Sequence, residues 1–276
     1  MKSIISFLLC FFISNQSFSF EYNMREIKII PVITEEIQFD KSLFLLSNLE
    51  KLKETLNSEH FYKGHYNAFY VDTGINKVLF DTGLKQDNLL SALKNNNINP
   101  DDIEYVFLTH SHLDHIGGLI GEDNSKTFKN AKIFFNKKAF LKSNGYDKQT
   151  NEHLNKIKIA YKDNLKSFSN EKQIIPHITP MFAYGHTSDH TLYQIKKDNE
   201  NLFIVGDLLH AHLQFANPDI YMTYDQEPEQ AIQTRLDFLE KAANNNYLLA
   251  GAHFVKEGIV RILKTNDGYQ TIYISD

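Results

Sequence analysis

The chain has 276 residues, 42% of them hydrophobic and 23% charged, an ordinary globular composition long enough to bury a full core in one large domain or two small ones. Lys plus Arg number 29 against 34 Asp plus Glu, a formal net charge of -5. No basic run is long enough to track a phosphate backbone, so nucleic acid is not an expected partner.

Residues 1 to 19 read as a secretory signal: Lys2 is the positive start, Ile4 to Ile13 is an almost unbroken apolar run, and Ser17-Phe18-Ser19 offers small residues for cleavage. A membrane anchor and a lipid-modified cysteine are the competing readings. The apolar run is only about half the ~20 residues a spanning helix needs, and bulky Leu9 before Cys10 suits lipoprotein cleavage poorly. The mature chain is therefore expected to start near Phe20, to be secreted or periplasmic, to keep no stable membrane anchor and to carry a net charge of -6 once Lys2 is gone. Cys10 is the only cysteine and leaves with the signal, so no disulfide and no thiolate ligand remain; metal binding must use His and carboxylate.

From Asn67 the pattern is strand, turn, strand: Ala68 to Val71, a turn from Asp72 to Asn76, then Val78 to Phe80 ending at Asp81-Thr82-Gly83. An amphipathic helix follows through Leu89, Leu90 and Leu93 and closes on Asn95-Asn96-Asn97. Tyr105 to Leu108 is too short for a helix and reads as a buried strand leading into a His-rich loop, where α/β folds place their chemistry. A strand at Ile133 to Phe135 and one or two helices are expected before Phe168, their Lys and Asn residues forming solvated surface. A second hairpin runs from Leu192 to Ile195, turns at Asp198-Asn199, and continues from Leu202 to Val205 into Gly206-Asp207. Asp207 thus falls where Asp81 falls in the first hairpin, which predicts two related halves packed together in one domain, residues 20–276. The last third carries a helix from Pro228 to about Asn245, with Ile232, Leu236 and Leu239 on one face, and closing strands at Gly258 to Leu263 and Tyr269 to Ile274.

The densest chemistry is Thr109-His110-Ser111-His112-Leu113-Asp114-His115, four potential ligands within six residues. In an extended segment His110 and His112 point the same way and can share one ion, while Asp114 and His115 lie a turn further on and can face a second. Imidazole and carboxylate are the ligands a zinc-type ion accepts when thiolate is missing. A solvated His-rich loop would predict no ligands elsewhere, yet His186 precedes a strand, Asp207 closes one, and His253 follows the apolar run Tyr247 to Ala250. His60, His65, His153, His177 and His212 are read as surface or structural and are assigned nothing.

These segments resemble the five signature motifs of the metallo-β-lactamase superfamily, in order, over nearly all of the mature chain. The resemblance implies a four-layer αββα sandwich, an α/β fold with two mixed sheets face to face, helices outside and two divalent ions, Zn2+ by preference, at one edge. It assigns His110, His112 and His186 to the first ion, Asp114, His115 and His253 to the second, and Asp207 to both, with Asp114 and Asp207 as the catalytic carboxylates. Two divalent ions carry +4; two aspartates and a bridging hydroxide leave +1, which favours an anionic transition state. Asp81 resembles the aspartate that accepts an N–H from a ligand imidazole and fixes its orientation. Gly185-His186-Thr187-Ser188-Asp189-His190 departs from the usual Gly-His-Thr-Pro-Gly-His at Ser188-Asp189, which puts the loop's turn, though not His186, in question.

The implied reaction is attack of the hydroxide on a carbonyl carbon or phosphorus without a covalent enzyme intermediate. The stretches around Asn67 to Gly83, Gly206 to Phe215 and Tyr247 to His253 are most similar to methyl parathion hydrolase-like and lactonase-like secreted members, so the expected substrate is a small ester, lactone or phosphotriester. Lactonases usually place a tyrosine where this chain has His210, which is read as supporting Asp207 rather than facing substrate. A β-lactamase, a glyoxalase II-type thioesterase and a non-catalytic metal-binding protein are the alternatives. Twenty-one Phe and fourteen Tyr leave material for an apolar pocket, with Phe61-Tyr62 and Tyr221 to Tyr224 as candidate linings. Self-association is compatible with the composition.

Overall fold

In the computed structural model, which describes residues 20–46, 61–141, 145–256 and 258–274, the first major element is one that the hydropathy pattern did not disclose. After a short β1 (Tyr22–Met24), β2 (Ile27–Asp40) runs for 14 residues, buried through Val32 and half-exposed beyond. Pro31 and the polar Thr34-Glu35-Glu36 break its apolar signal, yet it pairs antiparallel along β4 (Phe61–Asp72) from Lys28–Asp72 to Asp40–Phe61, with a bulge between Ile33 and Glu35. The small β3 (Phe44–Leu45) lies between them in sequence. The signal-peptide reading of residues 1 to 19 and His60 lie outside the described residues.

The first hairpin is β4 and β5 (Lys77–Phe80), followed by α1 (Gln86–Asn95) and a return to β6 (Tyr105–Phe107) parallel to β5. The four-residue α2 (Leu113–Ile116) leads to β7 (Lys132–Asn136), α3 (Lys148–Ala160) and β8 (Leu165–Phe168), which extend the parallel run. These strands form a sheet in the order β1-β2-β4-β5-β6-β7-β8.

The second half repeats the plan. After β9 (Ile178–Phe182) comes the hairpin of β10 (Thr191–Lys197) and β11 (Glu200–Gly206), then the short α4 (Leu213–Ala216), β12 (Tyr221–Met222), which pairs with β3, and α5 (Pro228–Asn244). The chain returns as β13 (Leu248–Gly251) parallel to β11, and closes with β14 (Ile259–Lys264) and β15 (Tyr269–Tyr273). Hairpin, helix and parallel return thus occur in both sheets, as the alignment of Asp81 with Asp207 predicts.

The layers follow from which faces are apolar. Phe69, Val71, Phe80 and Phe107 of one sheet meet Tyr193, Ile195, Ile204 and Ala250 of the other in a shared core. Leu89 and Leu93 of α1 and Leu154 and Ile157 of α3 cover the outer face of the first sheet. Phe238 and Leu239 of α5 cover the second. Strands buried on both faces read as continuous apolar runs, which is why β5, β6, β11 and β13 stand out in the sequence. The result is the expected αββα sandwich, and Asp81, His110, Asp207 and His253 all sit just past the carboxyl ends of these four strands, where open sheets bind ligands.

Candidate metal centre

Every predicted ligand comes to one edge of the sandwich. His110 Nε2 lies 2.9 Å and His186 Nε2 3.0 Å from His112 Nδ1, and Asp207 Oδ2 stands 3.6 Å from His110 and 3.2 Å from His186. The other Asp207 oxygen faces the second group: Oδ1 is 3.0 Å from both His115 Nε2 and His253 Nε2, which lie 3.5 and 3.6 Å from Asp114 Oδ2. In each group the four ligand atoms lie within 4.8 Å of one another. A tetrahedral ion with bonds of ~2.0–2.1 Å spaces its ligand atoms roughly 3.3 Å apart, so both groups have the dimensions of a zinc-type site. Asp207 Oδ1 and His115 Nε2 are buried and, although in contact, make no aligned hydrogen bond, which is how donor atoms aimed at a common cation are arranged.

The remaining imidazole nitrogens are anchored from behind. Asp81 accepts from His115 Nδ1 at 2.9 Å and from the backbone N–H and hydroxyl of Thr109, both at 2.8 Å. His253 Nδ1 meets the His65 carbonyl at 3.0 Å, and His110 Nδ1 meets the Thr109 hydroxyl at 3.2 Å. Such anchors fix tautomer and ring orientation. The Thr82 N–H and hydroxyl both donate to the His115 carbonyl at 2.8 Å, so the Asp81-Thr82-Gly83 turn holds that ligand's backbone as well.

Three anchors escaped the sequence reading. Asp225 accepts from His186 Nδ1 at 2.8 Å and is backed by the fully buried Arg235, 3.7 Å away. It lies 39 residues from its partner with no motif around it. His190 donates from Nδ1 to the Ala183 carbonyl at 2.9 Å and accepts the Asp207 backbone N–H on Nε2 at 3.1 Å, so the last residue of the departing motif holds the aspartate shared by the two groups. Asp189, in the departure itself, is buried and accepts hydroxyls from Ser111 at 2.8 Å, Thr187 at 2.7 Å and Tyr146 at 2.5 Å. Tyr146 in turn accepts the Ser111 N–H at 3.0 Å and sets its ring edge-on to His112. Asp189, where the usual motif has glycine, therefore ties the two histidine loops together through the Ser111 and Tyr146 hydroxyls.

His210 stands with Nε2 3.2 Å from Asp207 Oδ2 and its ring stacked on His253 at 5.2 Å and 12°. Its position fits the supporting role, although it also reaches the cavity wall. His65, His153, His177 and His212 belong to neither ligand group.

Electrostatics follow the geometry. Burial alone would raise the Asp207 carboxyl, but the surrounding imidazoles, His115 first, outweigh it and hold the group well below the usual carboxylate range. Burial pulls His186 down, yet its hydrogen bonds to Asp207 and Asp225 prevail and raise it to about 9. For His190, burial and the neighbouring His186 outweigh the pull of Asp207 and the Ala183 carbonyl and lower it to about 3, which keeps it neutral for its two hydrogen bonds.

Both groups open into a cavity of about 370 Å³. Phe39, Leu43, Leu84 and Tyr66 line it, and no Lys or Arg is among its described lining residues. Of the aromatic residues expected on its wall, only one is there. Tyr224 does reach the cavity, at 50% exposure, but Phe61 points to solvent, Tyr62 packs against Phe44, and Tyr221 pairs with Leu45. Tyr66, four residues beyond Tyr62 and on the same face of β4, is the tyrosine of this strand that lines the site, opposite the bulged stretch of β2.

The model of the metallo-beta-lactamase superfamily matches residues 62–253. The chain belongs to that superfamily. Among solved structures, this superfamily member is similar to AidC, a dizinc quorum-quenching lactonase in complex with a product N-hexanoyl-L-homoserine, with 25% identity, a TM-score of 0.83, and 94% of this chain and 98% of that one covered. The hydrolase AbOPH of the beta-lactamase superfamily shares the fold at a TM-score of 0.82 and 24% identity, over the same shares of the two chains. In sequence the present chain is 40% identical over 53 residues to exodeoxyribonuclease WalJ of Streptococcus pneumoniae, 19% of this chain and 20% of that protein. The chain thus spans about a fifth of the curated relatives it matches.

Proposed function

We propose that the protein is a secreted, dinuclear metal-dependent hydrolase of uncharged esters, lactones or phosphotriesters, folded as one domain over residues 20–276. The observation that carries this reading is Asp207, whose two oxygens serve two separate groups of convergent ligands on a cavity wall. His110, His112, His186 and Asp207 Oδ2 would hold one ion; Asp114, His115, His253 and Asp207 Oδ1 the other. When bound, such ions make water nucleophilic at neutral pH and polarise the oxygen of the scissile bond; zinc is the proposed metal, supported by the ligand chemistry and by the dizinc relative.

The chain's own residues do the positioning. Asp81, Asp225 and the His65 carbonyl orient ligand imidazoles, while His190 and His210 hold Asp207 from its backbone and from Oδ2. Phe39, Leu43 and Leu84 supply apolar wall that displaces water from a bound substrate. Without Lys or Arg on the described wall, a glutathione conjugate or a polynucleotide finds no cationic partner there, which favours neutral substrates over the thioesterase and nuclease readings. The AidC likeness supports lactones within that class.

Zinc-loaded protein is expected to turn over an N-acyl lactone, an aryl ester or a phosphotriester at least tenfold faster than a cephalosporin or a glutathione thioester. Preference for either of the last two, or no turnover of any neutral ester, would remove the reading.

A further inference from the structure

Tyr66 occupies a built position that the metal ligands do not explain. Between Ile33 and Glu35 the register of β2 against β4 slips by one residue, so Thr34 bulges opposite the Tyr66-Asn67 step. Bulges of this kind re-aim side chains beside active sites. Thr34 is pinned there: its hydroxyl donates to the Tyr66 carbonyl at 2.8 Å, and a β-carbon on Gly83 would collide with its side chain. On the other side, the Asn67 carboxamide donates to the Gly251 and Phe254 carbonyls at 3.0 and 2.8 Å, locking β4 to the loop that carries His253. The Tyr66 ring consequently stands 5.7 Å from the His253 ring, half-buried in the cavity wall. Its hydroxyl has no hydrogen-bond partner among the described residues. Of the other hydroxyls on that wall, Thr150 is bonded to Asp147 and Tyr224 stands half in solvent.

We infer that Tyr66 is a catalytic residue whose phenol donates a hydrogen bond to the substrate oxygen on which negative charge develops, at the Asp114–His253 side of the cavity. This rests on the hydrolase reading above. The elements of water add across the scissile bond, oxygen to the carbonyl carbon or phosphorus and a proton to the departing alcohol oxygen as the carbon–oxygen or phosphorus–oxygen bond breaks, and the phenol remains O–H throughout. Preorganised donors of this kind act on developing charge in a site from which water is displaced. The role falls to a residue of β4, because the position after Asp207 that would face the substrate holds His210, already in contact with the bridging carboxylate.

The test is Tyr66→Phe, which removes one oxygen, in the zinc-loaded protein. An N-acyl lactone and an aryl ester serve as substrates and an aryl methylphosphonate monoanion as a tetrahedral mimic, its affinity read by calorimetry. We expect kcat to fall about tenfold to a hundredfold with KM changed less than about threefold, the phosphonate to bind about tenfold more weakly or worse, and zinc content and thermal midpoint to stay at wild-type values. Turnover within twofold of wild type overturns the inference, as does equal phosphonate affinity in the two proteins, including no affinity in either. Loss of zinc from the variant also overturns it, since Tyr66 would then act through the ligands. If wild-type protein hydrolyses neither substrate, the hydrolase reading fails separately, and the phosphonate comparison still decides whether Tyr66 faces an anionic oxygen.

Discussion

Asp207 is the residue on which both ligand groups depend, because one carboxylate oxygen belongs to each. Asp207→Asn replaces one of those oxygens with a donor and removes the charge shared by the two ligand groups, so turnover should drop roughly a hundredfold or more. Activity within twofold of wild type would show that the carboxylate does not bridge. His210 separates two roles at the same spot. Its 3.2 Å contact with Asp207 Oδ2 and its stacking on His253 place it as a support for the ligands. His210→Ala should therefore weaken metal retention by about tenfold or more and impair all substrates alike. A variant that keeps both metals and loses only lactone turnover would instead make His210 a substrate contact.

Among the elements, the segment from α2 to the glycines behind it shows how tightly the ligand loop is seated. A β-carbon on Gly118 would run into the carbonyl oxygen of Thr82, and one on Gly117 into that of Leu84, so the backbone after His115 lies directly on the Asp81-Thr82-Gly83 turn. Thr82 in turn clamps the His115 carbonyl. Gly118→Ala should cost metal-free protein about 1–3 kcal/mol by overpacking, read from urea denaturation, and should loosen the group that contains His115 more than the group that contains His112. An unchanged denaturation midpoint would mean that the turn can give way. The paired hairpins were legible from sequence because their strands are buried on both faces and bounded by turn residues. By contrast, β2 was not, because Pro31 and a polar second half mask its pairing along β4.

For the molecule as a whole, the expectation is two zinc ions per chain, since seven ligands exceed what one tetrahedral ion can use. Elemental analysis finding at most one ion after saturation would remove the dinuclear reading. Metal loading should also depend on pH. In metal-free protein the His186 imidazolium, between Asp207 and Asp225, is raised to about 9. Its ion-pair contribution to stability is complete below the unfolded value near 6.5 and is lost as pH rises through about 9. A ligand imidazole must be neutral, so zinc affinity should rise across the same window and binding at pH 7 should release protons. Calorimetry in buffers of different ionisation enthalpy checks this; proton-neutral binding at pH 7 would contradict it.

The fold class, the candidate ligand residues and the edge of the sheets where they gather were legible in the sequence. With Cys10 the sole cysteine of the sequence, a metal site of the usual four ligands must rest on His and carboxylate, and these stand where short apolar runs end, so local pattern and ligand type point to the same positions. The tertiary structure alone decided what surrounds them. Asp225 reaches His186 because of the turn that precedes α5, Asp189 gathers hydroxyls from two distant segments besides its own loop, and Tyr66 lines the cavity beside His253 while Tyr62 packs on Phe44. Contacts of this kind are made between elements far apart in the chain, by single residues whose types are common everywhere, and only packing selects which of them meet.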